Sequence, residues 1–473
     1  MKKRWTSLLS LAILSYLTLS LFAPHTCLPV SESYIKANQN KWLEKASRHE
    51  NNGWICIHIE GTPFQRGFQR GFLTAGEIQQ FLKTITHVLE FKTGKEIDFF
   101  IDKANKLFKH KVSREYATEL KGMVAGMQAA GKDVNYEQML FMNAFIDLWW
   151  YWWPKEKESL SSGCSAFIAT GDATSDGQIV MAHNSWSRYV LLRFCNIIVD
   201  IAPDKGHRIL MQTWGPCIYS ATDFFITGAG LVGTETTIGG FNGFEKKGTP
   251  VFERARRAMQ YADNIDQWAR IMIKNNNGAY ANSWLIGNIN TGQIARLELG
   301  LKHHSLEKKT NGWFSGSNIP ENIKLLRQET DASYDDIRET SVARRERFKQ
   351  LFKKHYGRID TEIAKQMLAD HYDLYLKKQN PSSRTICGHM ELDDGSVPGS
   401  RGAYIPGGAI DGKVLDSNLA KKWTILARWG SSCDIGFDAE KFLQHHTQYD
   451  WLKDHLENLP AHDWITVSFE KEK

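Results

Sequence analysis

The sequence lacks the short motifs that mark most nucleotide-binding and metal-dependent enzymes. It contains no GxxxxGK[ST] phosphate loop, no HExxH zinc helix and no GxSxG nucleophile turn. Its seven cysteines are scattered and none belongs to a CxxC pair, a spacing that argues against a zinc ribbon or a thioredoxin-like redox motif. We therefore expect neither a metal nor a cofactor.

An excess of charge of one sign is also missing. The formal net charge is +6 over 473 residues, and Lys2, Lys3 and Arg4 supply three of those charges. This balance gives no electrostatic reason to expect a nucleic-acid partner. Hydrophobic residues make up 42% and charged residues 24% of the chain, which is typical of a soluble globular protein.

Long apolar runs are scarce, and the one present lies near the N-terminus. Leu8 to Phe22 is a 15-residue run without charge that follows the basic residues 2–4. A membrane helix needs about 20 apolar residues, so the run fits the core of a signal peptide better. We expect residues 1–26 to be a signal peptide, with a retained membrane anchor as the alternative. The protein is then exported to a periplasm, a cell envelope or the extracellular space.

Hydrophobic periodicity changes abruptly near residue 163. Residues 27–163 are predicted to be a mostly helical pro-segment, and residues 164–473 a strand-rich domain. Strands followed by helices and further strands indicate stacked sheets with outer helical layers. The predicted helices include 65–91, 114–131, 136–153, 341–355 and 361–376, and the predicted strands include 54–60, 164–170, 178–182, 284–289, 294–299, 410–415 and 424–429.

An aromatic run, Trp149 to Trp153, ends the predicted pro-segment. Large aromatic side chains can bury much apolar area or line an apolar pocket. The run either seals the pro-segment onto the core, which we favour, or forms a wall for an acyl chain.

The most informative position is Cys164, which begins a predicted strand directly after Gly163. A cysteine at a strand start is commonly a small buried hydrophobic residue. Here, however, the preceding glycine leaves its carbonyl unshielded, a flexible loop comes before it, and the composition changes at this residue. These features together predict self-cleavage between Gly163 and Cys164.

Cleavage at this bond creates an N-terminal cysteine that carries its own base. A free α-amine has a pKa of about 7.7 to 8.0. The amine can therefore accept the thiol proton and later protonate a leaving group. The thiolate then attacks an acyl carbon to form a thioester, which water or another acceptor resolves.

Several stretches, in this order and spacing, resemble the phospholipase B-like family of N-terminal-nucleophile (Ntn) hydrolases and the neighbouring penicillin acyltransferase group. The resemblance covers roughly residues 54–320. The matching stretches are Gly61 to Gly67, Gly163 to Ala166, His183 to Ser187, Asp223 to Phe225, Gly230 to Thr237 and Gly278 to Trp284.

The resemblance implies an α+β fold, a four-layer αββα Ntn-hydrolase sandwich matured by cleavage ahead of Cys164. It also implies hydrolysis of amide or ester bonds without a metal. Carried over residue by residue, the catalytic residues are Cys164, Asn184 and Asn282. Asn184 would orient the new amine, and Asn282 would donate to the oxyanion.

Supporting roles are expected for His183, Trp186, Thr236 and Arg384. His183 would lie at the rim, Trp186 would wall the pocket, and Thr236 would bond near the scissile peptide. Arg384 resembles an arginine of the acyltransferase group, although Gly388 stands where the group's ICRH sequence has its arginine. For each residue a structural alternative remains open: a turn for Asn184, a strand edge for Asn282, and packing for the others.

We therefore expect an exported, autoproteolytically matured cysteine hydrolase of the phospholipase B-like or amidase type, acting on a small or lipid-like acyl substrate. Two alternatives remain: an acyltransferase on the same scaffold, and a catalytically dead envelope binding protein. Any membrane contact would be made by the N-terminal segment.

Overall fold

The computed structural model describes residues 31–153, 163–399 and 402–470. The expected signal peptide and the loop that precedes Gly163 lie outside these residues. The chain divides into two compact units, Met1–Glu44 and Lys45–Lys473. Among the described residues, no helix has both the length and the apolar surface that crossing a bilayer requires.

The first unit contains one helix within its described part. It is α1 (Glu32–Leu43), and it begins after Ser31, whose hydroxyl accepts a hydrogen bond from the Tyr34 amide at 3.2 Å. This bond satisfies one of the free N–H groups at the helix start.

The second unit contains most of the helices of the described chain. Its helices are α2 (Pro63–Leu73), α3 (Ala75–Thr93), α4 (Ile97–Phe108), α5 (Arg114–Ala129), α6 (Tyr136–Asn143), α7 (Tyr189–Leu192), α8 (Val251–Tyr261), α9 (Ile265–Ile273), α10 (Ile323–Glu329), α11 (Thr340–His355), α12 (Thr361–Leu368), α13 (Ser417–Lys421) and α14 (Ala439–His445), with a π-helix at Asp147–Trp152 and 3₁₀ turns at Met390–Leu392 and Thr447–Leu452.

The described strands of this unit lie at its beginning and from Cys164 onward. They are β1 (Ser47–Asn51), β2 (Trp54–Gly61), β3 (Cys164–Gly171), β4 (Gly177–Arg188), β5 (Ile197–Pro203), β6 (Ile209–Thr213), β7 (Phe224–Thr227), β8 (Leu231–Thr237), β9 (Asn282–Asn288), β10 (Gln293–Leu299), β11 (His304–Lys309), β12 (Gly312–Gly316), β13 (Tyr372–Asp373), β14 (Lys378–Gln379), β15 (Gly407–Ala409), β16 (Asp411–Asp416), β17 (Thr424–Trp429) and β18 (Ile465–Ser468).

Two large sheets, as far as the chain is described, organise these strands. The first has nine strands in the order β1-β2-β5-β6-β7-β8-β9-β10-β11. The second has seven, in the order β12-β3-β4-β16-β17-β18 with β15 paired to β4. The sheets face each other: a methyl group built on Gly287 of β9 would lie 2.9 Å from Ile168 of β3 and 3.0 Å from Ile179 of β4.

Helices cover the outer face of each sheet. On the second sheet, Phe167 and Val180 pack with Phe348 and Phe352 of α11. On the first, Trp268 of α9 stacks on Phe225 at 6.4 Å between ring centroids. The order of layers is therefore helix, sheet, sheet, helix, which confirms the expected αββα sandwich.

The segment before residue 163 is built into the same unit. Helices α2 and α5 pack closely through glycines, because a methyl group at Gly67 would lie 2.0 Å from the Glu119 carbonyl oxygen. The buried Glu119 carboxylate accepts hydrogen bonds from Arg66 at 2.6 Å and from Arg256 of α8 at 3.3 Å. Strand β2 also pairs in parallel with β5. Both sides of the predicted cleavage point therefore share one core.

The aromatic run packs against both sides of that point. Phe100 of α4 lies 6.2 Å from Trp149 between ring centroids, and Trp150 lies 6.0 Å from Tyr280. The run is in a π-helix rather than the predicted α-helix, and the buried Asp147 at its start accepts hydrogen bonds from the amide of Val251 and the side chain of Asn277. These contacts favour the sealing interpretation.

Because strands and buried ion pairs cross the predicted cleavage point, we expect the two fragments of a cleaved chain to stay together. They should co-elute in size-exclusion chromatography and separate only in denaturant. Fragments that separate in native buffer would contradict this shared core.

Candidate active site

The backbone of Cys164 is held by two buried side chains from distant parts of the chain. Its N–H donates to Oδ1 of Asn318 at 2.9 Å, and its carbonyl oxygen accepts from Arg344 of α11. Arg344 also donates to the same Asn318 oxygen at 2.9 Å. The first residue of β3 is therefore fixed at its nitrogen and at its carbonyl.

The peptide bond before Cys164 lies tightly against Trp186. The Gly163 carbonyl oxygen accepts a hydrogen bond from the Trp186 amide at 2.8 Å. A methyl group at Gly163 would lie 2.4 Å from the indole ring, so a larger residue does not fit without movement. Gly163 is thus sterically required, and its carbonyl oxygen already has a hydrogen-bond donor.

The Cys164 thiol lies on the inner face of its sheet, on the strand position paired with Ser185. Lys413 donates to the Ser185 hydroxyl at 2.7 Å and pairs with Asp411 at 2.8 Å. Burial raises the pKa of the thiol to about 12. In the uncut chain the thiol is therefore protonated at neutral pH.

Two buried carboxyl groups share a tyrosine near this thiol. The Tyr280 hydroxyl donates to Asp223 and lies 3.1 Å from Oε1 of Glu235. Burial raises the pKa of Asp223 to about 6 and the pKa of Glu235 well above its usual value, and negative charge on Asp223 raises the pKa of Glu235 further. Since one hydroxyl proton cannot serve two carboxylates, the pair retains a proton of its own near neutral pH.

Asn282 begins β9 and offers an unused amide in the interior. It is fully buried, and neither its side-chain oxygen nor its nitrogen has a hydrogen-bond partner among the described residues. Its strand partner is Thr237, whose carbonyl oxygen accepts from Asn318 at 2.7 Å. The amide can bond a further group, but no contact among the described residues joins it to Cys164, so the oxyanion role stays a prediction.

The Thr236 hydroxyl is likewise buried without a partner in the described part of the chain. It lies against Gly316, where a methyl group would come within 2.3 Å of it. No contact in the described residues joins it to the Gly163–Cys164 peptide.

Asn184 lies on the opposite face of the sheet from the thiol. Its side-chain nitrogen donates to the carbonyls of Leu368 at 2.9 Å and Ile386 at 3.3 Å, and its oxygen accepts from the Ser432 hydroxyl. The structure therefore does not bring Asn184 to the Cys164 nitrogen, because side chains alternate between faces along β4. Asn318 occupies that position instead.

His183 lies in the interior rather than at a rim. It is fully buried, and neither ring nitrogen has a hydrogen-bond partner within residues 31–153, 163–399 and 402–470. Burial, together with the charge of Lys413, lowers its pKa well below the usual value. The ring is therefore neutral.

The phospholipase B family model matches residues 50–296 of this chain, which is more than half of it. The chain belongs to the phospholipase B family. The resemblance drawn from the sequence motifs is thereby confirmed.

Two relatives and one solved structure illustrate the likeness. An uncharacterized protein of Archaeoglobus fulgidus is 25% identical over 241 residues, which are 45% of this chain and 38% of that protein. A phospholipase B of Crotalus adamanteus is 28% identical over 301 residues, 58% of this chain and 52% of the snake protein. The chain thus spans about half or less of these relatives.

The solved structure is that of a mutant conjugated bile acid hydrolase from Clostridium perfringens. It covers 66% of this chain and 93% of its own at 9% identity and a TM-score of 0.34.

In this phospholipase B family member, Arg384 and Trp186 are held by ion pairs and by packing. Arg384 is buried, and it bonds Asp373 at 2.8 Å and Asp393 at 3.2 Å. Its guanidinium is neutralised and is not brought to Cys164, which corrects its expected role in substrate binding. Trp186 lies on the outer face, packs with Cys387 and Ala409, and has the Arg344 guanidinium 4.3 Å from its ring centroid.

Asn318 and Arg344 are not predicted as site residues by the sequence. Asn318 follows β12 with a left-handed φ of 69°, and asparagine tolerates that conformation better than most residues. This local signal indicates a turn but not a catalytic neighbour. Arg344 is one of several arginines on α11, and only the packing of that helix on β3 distinguishes it.

Gly388 fills the place where the related group has an arginine, and the structure explains why. A methyl group at Gly388 would lie 2.3 Å from the Trp186 ring. We expect Gly388→Ala to lower the free energy of unfolding by about 1–3 kcal/mol in urea denaturation. The control is Gly76→Ala, because a methyl group there meets nothing within 4 Å. Equal stability of the two variants would contradict this contact.

The buried carboxyl pair predicts a pH dependence of stability. The folded-state pKa of Asp223, about 6, exceeds the unfolded value of about 3.9. The folded state therefore holds more protons between these values, and stability falls as pH rises through this window. We expect Asp223→Asn to make urea denaturation midpoints depend less on pH between about 4 and 7.

The matched control is Asp335→Asn, which removes an exposed carboxylate. An unchanged pH dependence in Asp223→Asn would show that Asp223 ionises normally in the folded protein.

Proposed function

We propose that this protein is an exported hydrolase that cleaves its own Gly163–Cys164 bond and then uses Cys164 to hydrolyse acyl-ester or amide bonds. The observation that carries the proposal is the arrangement at this bond. The Gly163 carbonyl accepts from the Trp186 amide, and the Cys164 nitrogen is held by Asn318 at 2.9 Å. Carbonyl and leaving nitrogen are both fixed.

Self-cleavage follows from ordinary thiol chemistry. The Cys164 sulfur attacks the Gly163 carbonyl carbon, the carbon–nitrogen bond breaks, and the thiol proton passes to the departing nitrogen. Water then hydrolyses the resulting thioester, which leaves a carboxylate on Gly163 and a free thiol and amine on Cys164. During the attack, the Trp186 N–H stabilises the negative charge that develops on the carbonyl oxygen.

The mature site then needs no separate base. Asn318 Oδ1, which accepts from the Cys164 N–H in the uncut chain, would hold the new amine beside the sulfur. The amine takes the thiol proton, the thiolate attacks the substrate carbonyl, and the Asn282 amide donates to the oxyanion. The leaving group receives the proton from the amine, and water releases the acyl group.

The family supports an acyl ester as substrate, since relatives carry the name phospholipase B. Export is supported by the basic and apolar N-terminal sequence.

Mass spectrometry of the purified protein tests the mechanism. We expect a fragment that begins at Cys164 in the wild type and an intact, inactive chain for Cys164→Ala, since alanine has no nucleophile. Cys195→Ala replaces another buried cysteine and should still be processed. An intact Cys164→Ala chain with wild-type activity would overturn the proposal.

A panel of substrates distinguishes hydrolysis from acyl transfer and from an inactive site in the processed protein. We expect release of free fatty acid from lysophospholipids or N-acyl amides in buffer. If an added amine acceptor captures most of the acyl group, the protein is an acyltransferase rather than a hydrolase. If the matured Cys164 turns over none of these substrates and resists iodoacetamide, the site is dead.

A further inference from the structure

Four potential metal ligands converge beside Trp186, outside the catalytic residues. They are His371, Cys387, His389 and Cys433, and their ligand atoms all lie within 4.8 Å of one another. His371 lies between α12 and β13, the Cys387 and His389 pair precedes the 3₁₀ turn at Met390–Leu392, and Cys433 follows β17. The spacing rules that exclude a zinc ribbon could not detect this set, because it is assembled from three separate segments.

The distances match those of a tetrahedral site. Nε2 of His389 lies 3.5 Å from the Cys387 sulfur and 3.3 Å from the Cys433 sulfur. A tetrahedral zinc with bonds of about 2.3 Å to sulfur and about 2.05 Å to nitrogen separates those atoms by about 3.6 Å. Two imidazoles and two thiolates are a common ligand set of structural zinc, and the two thiolates neutralise the charge of Zn²⁺.

The surroundings orient the ligands as metal sites require. The other ring nitrogen of His389, Nδ1, lies 2.8 Å from a Glu391 carboxylate oxygen. This contact presents Nε2 to the centre of the cluster, as in carboxylate–histidine–zinc arrangements. The Cys433 sulfur accepts from the Ile435 amide at 3.4 Å. Nε2 of His371 is buried, and within the described residues it makes no hydrogen bond of ordinary geometry.

The segments that carry the ligands are themselves held in place. Arg384 bonds Asp373, two residues after His371, and Asp393, four residues after His389. The Cys387 amide donates to the Asp370 carbonyl at 3.2 Å. Ion pairs and a backbone hydrogen bond therefore fix the segments that carry the ligands.

We propose that these four side chains bind one structural Zn²⁺. No position remains for a water ligand when all four coordinate, so the ion would serve the fold rather than catalysis. It would connect the loops after α12 and β17 to the Cys387–His389 segment. Since Gly388 of that segment lies against Trp186, and Trp186 against Gly163, the ion would also fix one wall of the cleavage junction.

Metal analysis of the full-length protein, purified without chelator from zinc-supplemented cells, tests the site directly. We expect about one zinc per chain, absent in Cys433→Ala and retained in Cys56→Ala, a buried cysteine outside the cluster. Glu391→Gln, which keeps the ligands but weakens the orientation of His389, should lower zinc affinity about 10- to 100-fold.

Replacement of the metal by Co²⁺ gives a readout that does not depend on any variant folding. We expect visible d–d bands of tetrahedral intensity and thiolate charge-transfer bands in the wild-type protein. Absence of both zinc and these bands would overturn the proposal. So would a Cys387–Cys433 disulfide found by non-reducing peptide mapping of the native protein, or zinc retained at full stoichiometry in Cys433→Ala.

Discussion

The hydrogen bond from the Cys164 nitrogen to Asn318 is the contact on which the candidate site depends. It crosses 154 residues of sequence and ties the first residue of β3 to the turn after β12. Arg344 completes the arrangement by bonding both Asn318 and the Cys164 carbonyl. A peptide nitrogen that is already held in this way needs no rearrangement to become an oriented amine. The same contact can therefore serve the uncut and the mature chain.

Trp186 lies between the proposed cleavage junction and the segment that carries Cys387 and His389. One side of its indole lies on Gly163 and another on Gly388, and in both places only the absence of a side chain permits the contact. Tight packing of this kind transmits small displacements, because a close-packed interior cannot absorb them locally. Loops far along the chain, between residues 371 and 433, thereby help to define the geometry at the cleavage point. They lie beyond the residues that the family model matches, 50–296.

Burial controls the electrostatics of the interior. It keeps the Cys164 thiol and the His183 ring uncharged, and it raises the proton affinity of Asp223 and Glu235. Lys413 and Asp411 stay in this environment as a fully buried pair at 2.8 Å. In the intact chain no free amine is present at Cys164 to accept the thiol proton, so in the proposed self-cleavage that proton passes to the departing nitrogen.

The sequence by itself determined the layered α+β fold and the family, and it predicted the roles of Gly163 and Cys164. These features follow from local information: period-two and helical patterns, a glycine before a cysteine, and short motifs in order. The predicted ends of strands lie close to the observed ends where a glycine marks the adjoining turn. The predicted helices 65–91 and 136–153 are too long, because the break at Thr74 and the π-helix that begins at Asp147 arise from packing. Only the tertiary structure decided which asparagine meets the Cys164 nitrogen and which arginine reaches the Cys164 carbonyl. Alternation along β4 turns Asn184 away, paired aspartates occupy Arg384, and Asn318 and Arg344 reach Cys164 because separate segments fold onto one strand. The same physical reason, ligands brought together from three distant loops, hid the histidine–cysteine cluster from any reading of sequence spacing.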